Sequence, residues 1–201
     1  MKYLCTLLLT LALGLPAWAD GINLVNSFGS VSVSNAGIVS NNSQLKWFNG
    51  IQATHGHSLG YVNFSTGALL TGSIAAGGTF SDVGSSFYVW GAGHQGVPLG
   101  TIFSGTFVGP IDWTLVSGSG TGNLTYELSG VLRGMLYTGQ IVSGMTTQTI
   151  FSTGGQLSKG IGHIRTGTTN LAVPEPGTMG MLGTGLVMIG SLVRRKVVAA
   201  L

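Results

Sequence analysis

Short runs rich in Val, Ile, Thr, Phe and Tyr, broken by Gly, Ser or Asn at intervals of about eight to twelve residues, fill the chain from residue 20 to residue 165. No apolar stripe with i, i+3, i+4 spacing is sustained there, so the segment predicts strands and no amphipathic helix. Candidate strands are 22–33, 44–48, 58–64, 69–74, 86–90, 99–108, 112–116, 123–136, 140–143 and 146–151. Alternation places Leu99, Thr101, Phe103, Gly105 and Phe107 on one face, and Leu124, Tyr126 and Leu128 on another. Strands with one apolar face belong to antiparallel sheets packed on a core. The expected fold is all-β: an antiparallel two-sheet sandwich, with a closed β-barrel as the alternative solution to unpaired edges. Ser104–Phe107 and Ser129–Leu132 are loosely alike, but two weak copies set no repeat period and give no solenoid. Glycines inside strands, such as Gly105 and Gly130, mark bulges and bends or leave room for a flat ligand such as a sugar.

The two ends differ from this body. Met1-Lys2 is basic, Leu4 to Leu15 is apolar, Pro16 ends the run, and Ala17 and Ala19 are the small residues a signal peptidase reads. Residues 1–19 therefore read as a secretory signal helix, cleaved between Ala19 and Asp20. Cys5 lies inside the apolar run, not after it, which argues against a lipid-anchored start. At the other end, residues 177–193 carry no charge, and Arg194, Arg195 and Lys196 follow. A helix over that span reaches about 25 Å, slightly less than a hydrocarbon core of about 30 Å, and snorkelling basic side chains cover the difference. The positive cluster places the C-terminus on the cytoplasmic side, and the leader independently sends residue 20 outward.

Val173-Pro174-Glu175-Pro176 precedes the span. Two prolines hold such a segment extended at the membrane surface, in a form that an enzyme cleft can take. These four residues, the glycine-containing apolar span and the basic cluster, in that order, resemble the PEP-CTERM sorting signal. The resemblance covers roughly the last 25–30 residues. It implies recognition and removal of the tag by an exosortase, a membrane-embedded enzyme, in an exported protein of a Gram-negative bacterium associated with exopolysaccharide and biofilm matrix. Residues 197–201 trail the basic cluster further than the family pattern usually does. The expected organisation is a signal peptide at 1–19, a β domain at 20–165, a Gly/Thr-rich linker at 166–172, and the sorting signal at 173–201 with a transmembrane helix at 177–193.

The formal charge of +3 resides in the ends. Between Asp20 and Leu171, Lys46, Arg133, Lys159 and Arg165 balance Asp20, Asp82, Asp112 and Glu127. The body has no basic cluster, which argues against nucleic-acid binding. The single cysteine is Cys5, so the exported chain has no disulfide, no thiolate nucleophile and no thiolate metal site. With so few charges, the surface must be covered by hydroxyls and amides or by a partner.

Four groups of side chains merit inspection. His55 and His57 could share an ion on one strand face, with His94 and Asp112 completing the shell, but Gly56 between them favours a loop. Asp112 and Glu127 could meet across neighbouring strands, as a glycosidase pair would, yet turn-capping or solvent-facing roles are the ordinary ones. Thr147/Thr149 and Thr166/Thr168 resemble the paired threonines of ice-binding surfaces. Trp47, Trp90 and Trp113 could form a sugar-stacking platform, although large aromatics usually belong to the core. No catalytic, metal or cofactor-binding residue is assigned. The expectation is an exported, non-catalytic surface or matrix protein, meeting signal peptidase, an exosortase-like enzyme, transiently the inner membrane, and exopolysaccharide. A carbohydrate-binding module is the alternative, ahead of a small hydrolase or an ice-binding protein.

Overall fold

The computed structural model describes residues 21–118, 122–153 and 156–172. The leader, with Ala17, Ala19 and Asp20, lies outside the described residues, as do Val173–Pro176, the span 177–193 and Arg194–Lys196. Thirteen strands follow in chain order: β1 Gly21–Ser27, β2 Ser30–Ser34, β3 Gly37–Phe48, β4 Ile51–Gln52, β5 Gly60–Ser65, β6 Leu69–Ser73 and β7 Gly77–Phe80, then β8 Ser86–Ala92, β9 Leu99–Phe107, β10 Ile111–Ser117, β11 Leu124–Leu136, β12 Ile141–Ser152 and β13 Ile161–Ala172. One 3₁₀ turn, Gln156–Lys159, precedes β13. Among the described residues no helix is long and apolar enough to cross a membrane.

Antiparallel pairings run β1–β3–β5–β8–β9–β11–β12–β13 and return from β13 to β1. The all-β expectation holds, and of the two architectures the closed eight-strand barrel is realised, not the two-sheet sandwich. Closure has a local cause. The strand expected over 22–33 is broken only at Phe28 and Gly29, both in the left-handed region (φ 64° and 97°). Across that break, β1 and β2 keep one register on β13, from Gly21↔Ala172 to Ser32↔Ile161. Both also pair with β3. This kinked line therefore joins the two ends of the sheet.

Residues 166–172, expected as a linker, form the second half of β13. Their Gly/Thr-rich composition suggested a tether, but Gly167, Thr169 and Leu171 point inward and are buried while their backbones pair with β1 and β12. The run 140–143 and the run 146–151 likewise merge into the single strand β12.

An eight-strand barrel leaves an interior just wide enough for side chains. Here Leu45, Val62, Phe64, Phe87, Val89, Ile102, Phe103, Phe107, Leu132, Leu136 and Ile150 fill it. Phe64, Phe87, Phe103 and Phe107 meet in one stacked and three edge-on contacts of 6.0–6.5 Å between centroids. Gly130 belongs to the same packing: a Cβ there would stand 2.7 Å from the Phe107 ring, so the flat group it admits is a core aromatic. The alternation expected over 99–107 fails at a bulge between Thr101 and Phe103. The extra residue turns Ile102 and Phe103 both inward and leaves Leu99 and Thr101 exposed.

One sector of the interior is polar. Asn26 Nδ2 donates to Ser43 Oγ (2.7 Å) and to Gln148 Oε1 (2.9 Å). Gln148 Nε2 donates to Thr146 Oγ1 (2.8 Å) and Asn26 Oδ1 (3.2 Å), and Thr146 and Thr169 share a hydroxyl contact of 2.8 Å. All five residues are buried. Gly167 makes room for them, since a Cβ there would clash with the Gln148 amide and come within 2.5 Å of Asn26 Oδ1.

A ribbon of β10, β7 and β6 leaves the barrel wall at β11, which pairs with β9 through its second half and with β10 through its first. Trp113 and Tyr126 stack beneath it at 4.5 Å and 2°. Trp113 Nε1 donates to the Ile74 carbonyl (2.9 Å) and the Tyr126 hydroxyl to the Ala75 carbonyl (2.8 Å). Burial raises the Tyr126 pKa above its ordinary 10.0. Well below pH 10 the phenol is neutral folded and unfolded, so it adds no pH dependence there. Above that value the unfolded chain ionises first, so the unfolded state binds fewer protons and stability falls as pH rises. Tyr126→Phe is expected to flatten that alkaline fall. Chemical denaturation at a series of pH values from 9 upward, roughly a unit below the ordinary phenol value, reads it.

Candidate functional site

Among the described residues, the outer faces of β5, β8 and β9 carry a wall where aromatic rings cluster outside the core. Inward Gly60, Val62 and Phe64 alternate with outward Tyr61 and Asn63, and inward Phe87, Val89 and Gly91 with outward Tyr88 and Trp90. Register then aligns Gln44, Tyr61, Trp90 and Thr101 as one cross-strand row, with Asn63, Tyr88 and Ser104 as the next. Tyr61 stacks on Trp90 at 5.2 Å and 16°, and tilts toward Tyr88 at 6.3 Å. The Tyr88 hydroxyl meets Thr101 Oγ1 at 2.7 Å.

A groove of about 600 Å³ adjoins this row at Gln44. Ser27, Phe28, Lys46, Gln52, Thr54, His55 and His57 line it further. Lys46 Nζ donates to the His57 carbonyl at 2.7 Å and stands 5.4 Å above the Phe28 ring. Both contacts are to neutral groups, so neither cancels the ammonium charge. Row and groove together offer ring faces, amides, hydroxyls and one cation on a continuous outer surface, the chemistry that holds a sugar ring by stacking and hydrogen bonds.

The expected tryptophan platform is not assembled. Trp113 is buried on Tyr126. Trp47 is half-buried and pairs with Val25 and Gln52, with no ring contact to Trp90 among the described residues. Of the three tryptophans only Trp90 joins the aromatic row, and its partners are Tyr61 and Tyr88, which the sequence did not single out. The signal was present: Tyr88 and Trp90 sit at i and i+2 within a run whose other residues are Phe and Val.

His55 and His57 are exposed in a loop around Gly56 (φ 83°), not on a strand. Among the described residues no group of three His, Cys, Asp or Glu is placed to hold a metal ion. Asp112 opposes Ser129, and Glu127 opposes Thr114, so the two carboxylates share the outer face of β10–β11 as diagonal neighbours on an open wall. Asp82 fixes a loop: its Oδ2 accepts from the Gly109 N–H at 2.8 Å. The threonine pairs do meet, with Thr147 opposite Thr168 and Thr149 opposite Thr166. The patch is two strands wide, bounded by Ser129 and Glu127 on β11 and by Val25 on β1.

No curated protein and no solved structure matches the chain. Residues 172–196 match the PEP-CTERM protein-sorting motif. The chain thus carries, from the last residue of β13 onward, the sorting motif of exported proteins that are held at the membrane and processed by an exosortase.

Proposed function

We propose that this chain is an exported, non-catalytic surface or matrix protein, delivered through its sorting motif and acting through the outer wall of its barrel. The observation that carries the reading is the position of the motif, which begins at Ala172 where the barrel wall ends, so that a closed domain hangs directly from the tag. The side-chain-filled interior supports it, because what is left to meet other molecules is the outside. In cells that hold the sorting enzyme, protease shaving of intact cells is expected to reach the barrel. Protection of the barrel in intact cells, with digestion only after the outer membrane is opened, would place it in the periplasm and overturn the reading.

A second reading is favoured by the Tyr61–Trp90 row: the wall binds saccharide. Trp90→Ala removes one of two stacked faces, and stacked aromatics contribute about 0.5–1.5 kcal/mol beyond the area they cover. Binding of the exported chain to the host's own exopolysaccharide is expected to weaken about tenfold, a loss of about 1.4 kcal/mol, with circular dichroism unchanged. Equal retention of the parent and Trp90→Ala chains on the immobilised polysaccharide would remove this reading while leaving the first standing.

A further inference from the structure

The geometry points to a lipid-contacting end on this barrel: the tip of the β11–β12 hairpin, which rests on the membrane surface while the tag is still attached. The inference rests on the reading that the tag anchors the exported chain.

Gly21 and Ala172 are paired neighbours, so the described chain enters and leaves the barrel at one end. The same end holds the hairpin tip, because Ala172 also opposes Ser143 on β12, two residues from Ile141. The apolar span expected from residue 177 starts five residues beyond Ala172. Five residues reach at most about 18 Å when fully extended. An anchored barrel therefore keeps this end close to the lipid headgroups.

The outer face there carries four exposed apolar or aromatic side chains. Met135 and Ile141 are direct cross-strand partners, and they are 54% and 60% exposed. Tyr137 follows in the turn, exposed, its N–H held by the Ile102 carbonyl at 2.9 Å. Leu99 begins β9 at the same end and is 74% exposed. Leu136 N–H to the Gln140 carbonyl and Gly139 N–H to the Leu136 carbonyl, both 2.9 Å, fix the turn, so the tip presents these side chains from a rigid base.

One step back along β11, Arg133 is exposed between Thr106 and Ser143. Apolar side chains at a tip, a tyrosine beside them and a cation behind match the layers of a bilayer interface: acyl boundary, headgroup and phosphate. Val83, also apolar and 80% exposed, sits at the opposite end, in the loop before β8.

The test uses the full exported chain with its tag, reconstituted in phosphatidylethanolamine/phosphatidylglycerol vesicles, with a photoreactive residue at position 141 or at position 83. Lipid adducts are expected at 141 and lost at 83. Combining Tyr137→Ser with Met135→Ser is expected to reduce the adduct at 141 while the chain stays anchored. A chain that alkaline carbonate strips from the vesicles overturns the anchor and this contact together. A chain that stays anchored yet labels equally at both positions, or labels protein at 141, overturns the contact alone.

Discussion

Replacing Gln148 by Leu is expected to cost about 3 kcal/mol of folding stability, more than a single hydrogen bond contributes net, because it strands a buried amide. The substitution removes the bonds from Gln148 to Thr146 Oγ1 and Asn26 Oδ1 and the acceptor for Asn26 Nδ2. Asn26 Oδ1 then faces the barrel interior with nothing to bind, and Asn26 is fully buried. Asn26→Leu should do comparable damage from the other side. The double replacement should cost less than the two singles added, since no orphan amide remains, with a coupling of about 0.5–3 kcal/mol. Urea titration of the four chains reads the cycle. Additive effects would mean that the two amides act independently, and the account of a satisfied polar sector would fail.

The second large effect concerns processing. The chain recovered from cells with the sorting enzyme is expected to lack residues 1–19 and most of the sequence after Pro176, by intact mass. Pro174→Ala combined with Pro176→Ala should leave full-length C-termini in the inner membrane. The reason is physical: without the two rings, φ is free at both positions and Glu175 is no longer held extended between them, so an enzyme cleft must order the segment itself. Both prolines lie beyond β13, which ends at Ala172. Wild-type and variant chains with identical C-termini would show that the prolines are not read.

Strand content was legible because alternation survives wherever one face is buried, as in Leu124–Leu128. Closure was not. It depends on β1 pairing with β13 nearly 150 positions away, and no local pattern encodes a partner. The tail of β13 was misread for a related reason. Thr166, Thr168 and Asn170 face outward, while inward Gly167 and Thr169 serve a polar interior, so no apolar alternation marked the strand. The threonine pairs were visible as spacings, but their mutual register comes from the β12–β13 ladder. The tryptophans show the limit most plainly: three similar residues, of which the fold buries one, isolates one and gives the third to a tyrosine row. The sorting motif, by contrast, is a linear feature and was readable as such, expected over 173–201 and matched over 172–196.

That the first strand of the wall is zipped to the last sets the order of events during secretion. β1 emerges first and must wait for β13 before its open flank is covered, a non-local closure of the kind that slows folding and exposes strand edges meanwhile. The ring can shut only when nearly the whole body has crossed. The sorting motif begins at Ala172, so it follows directly on the strand that completes the ring.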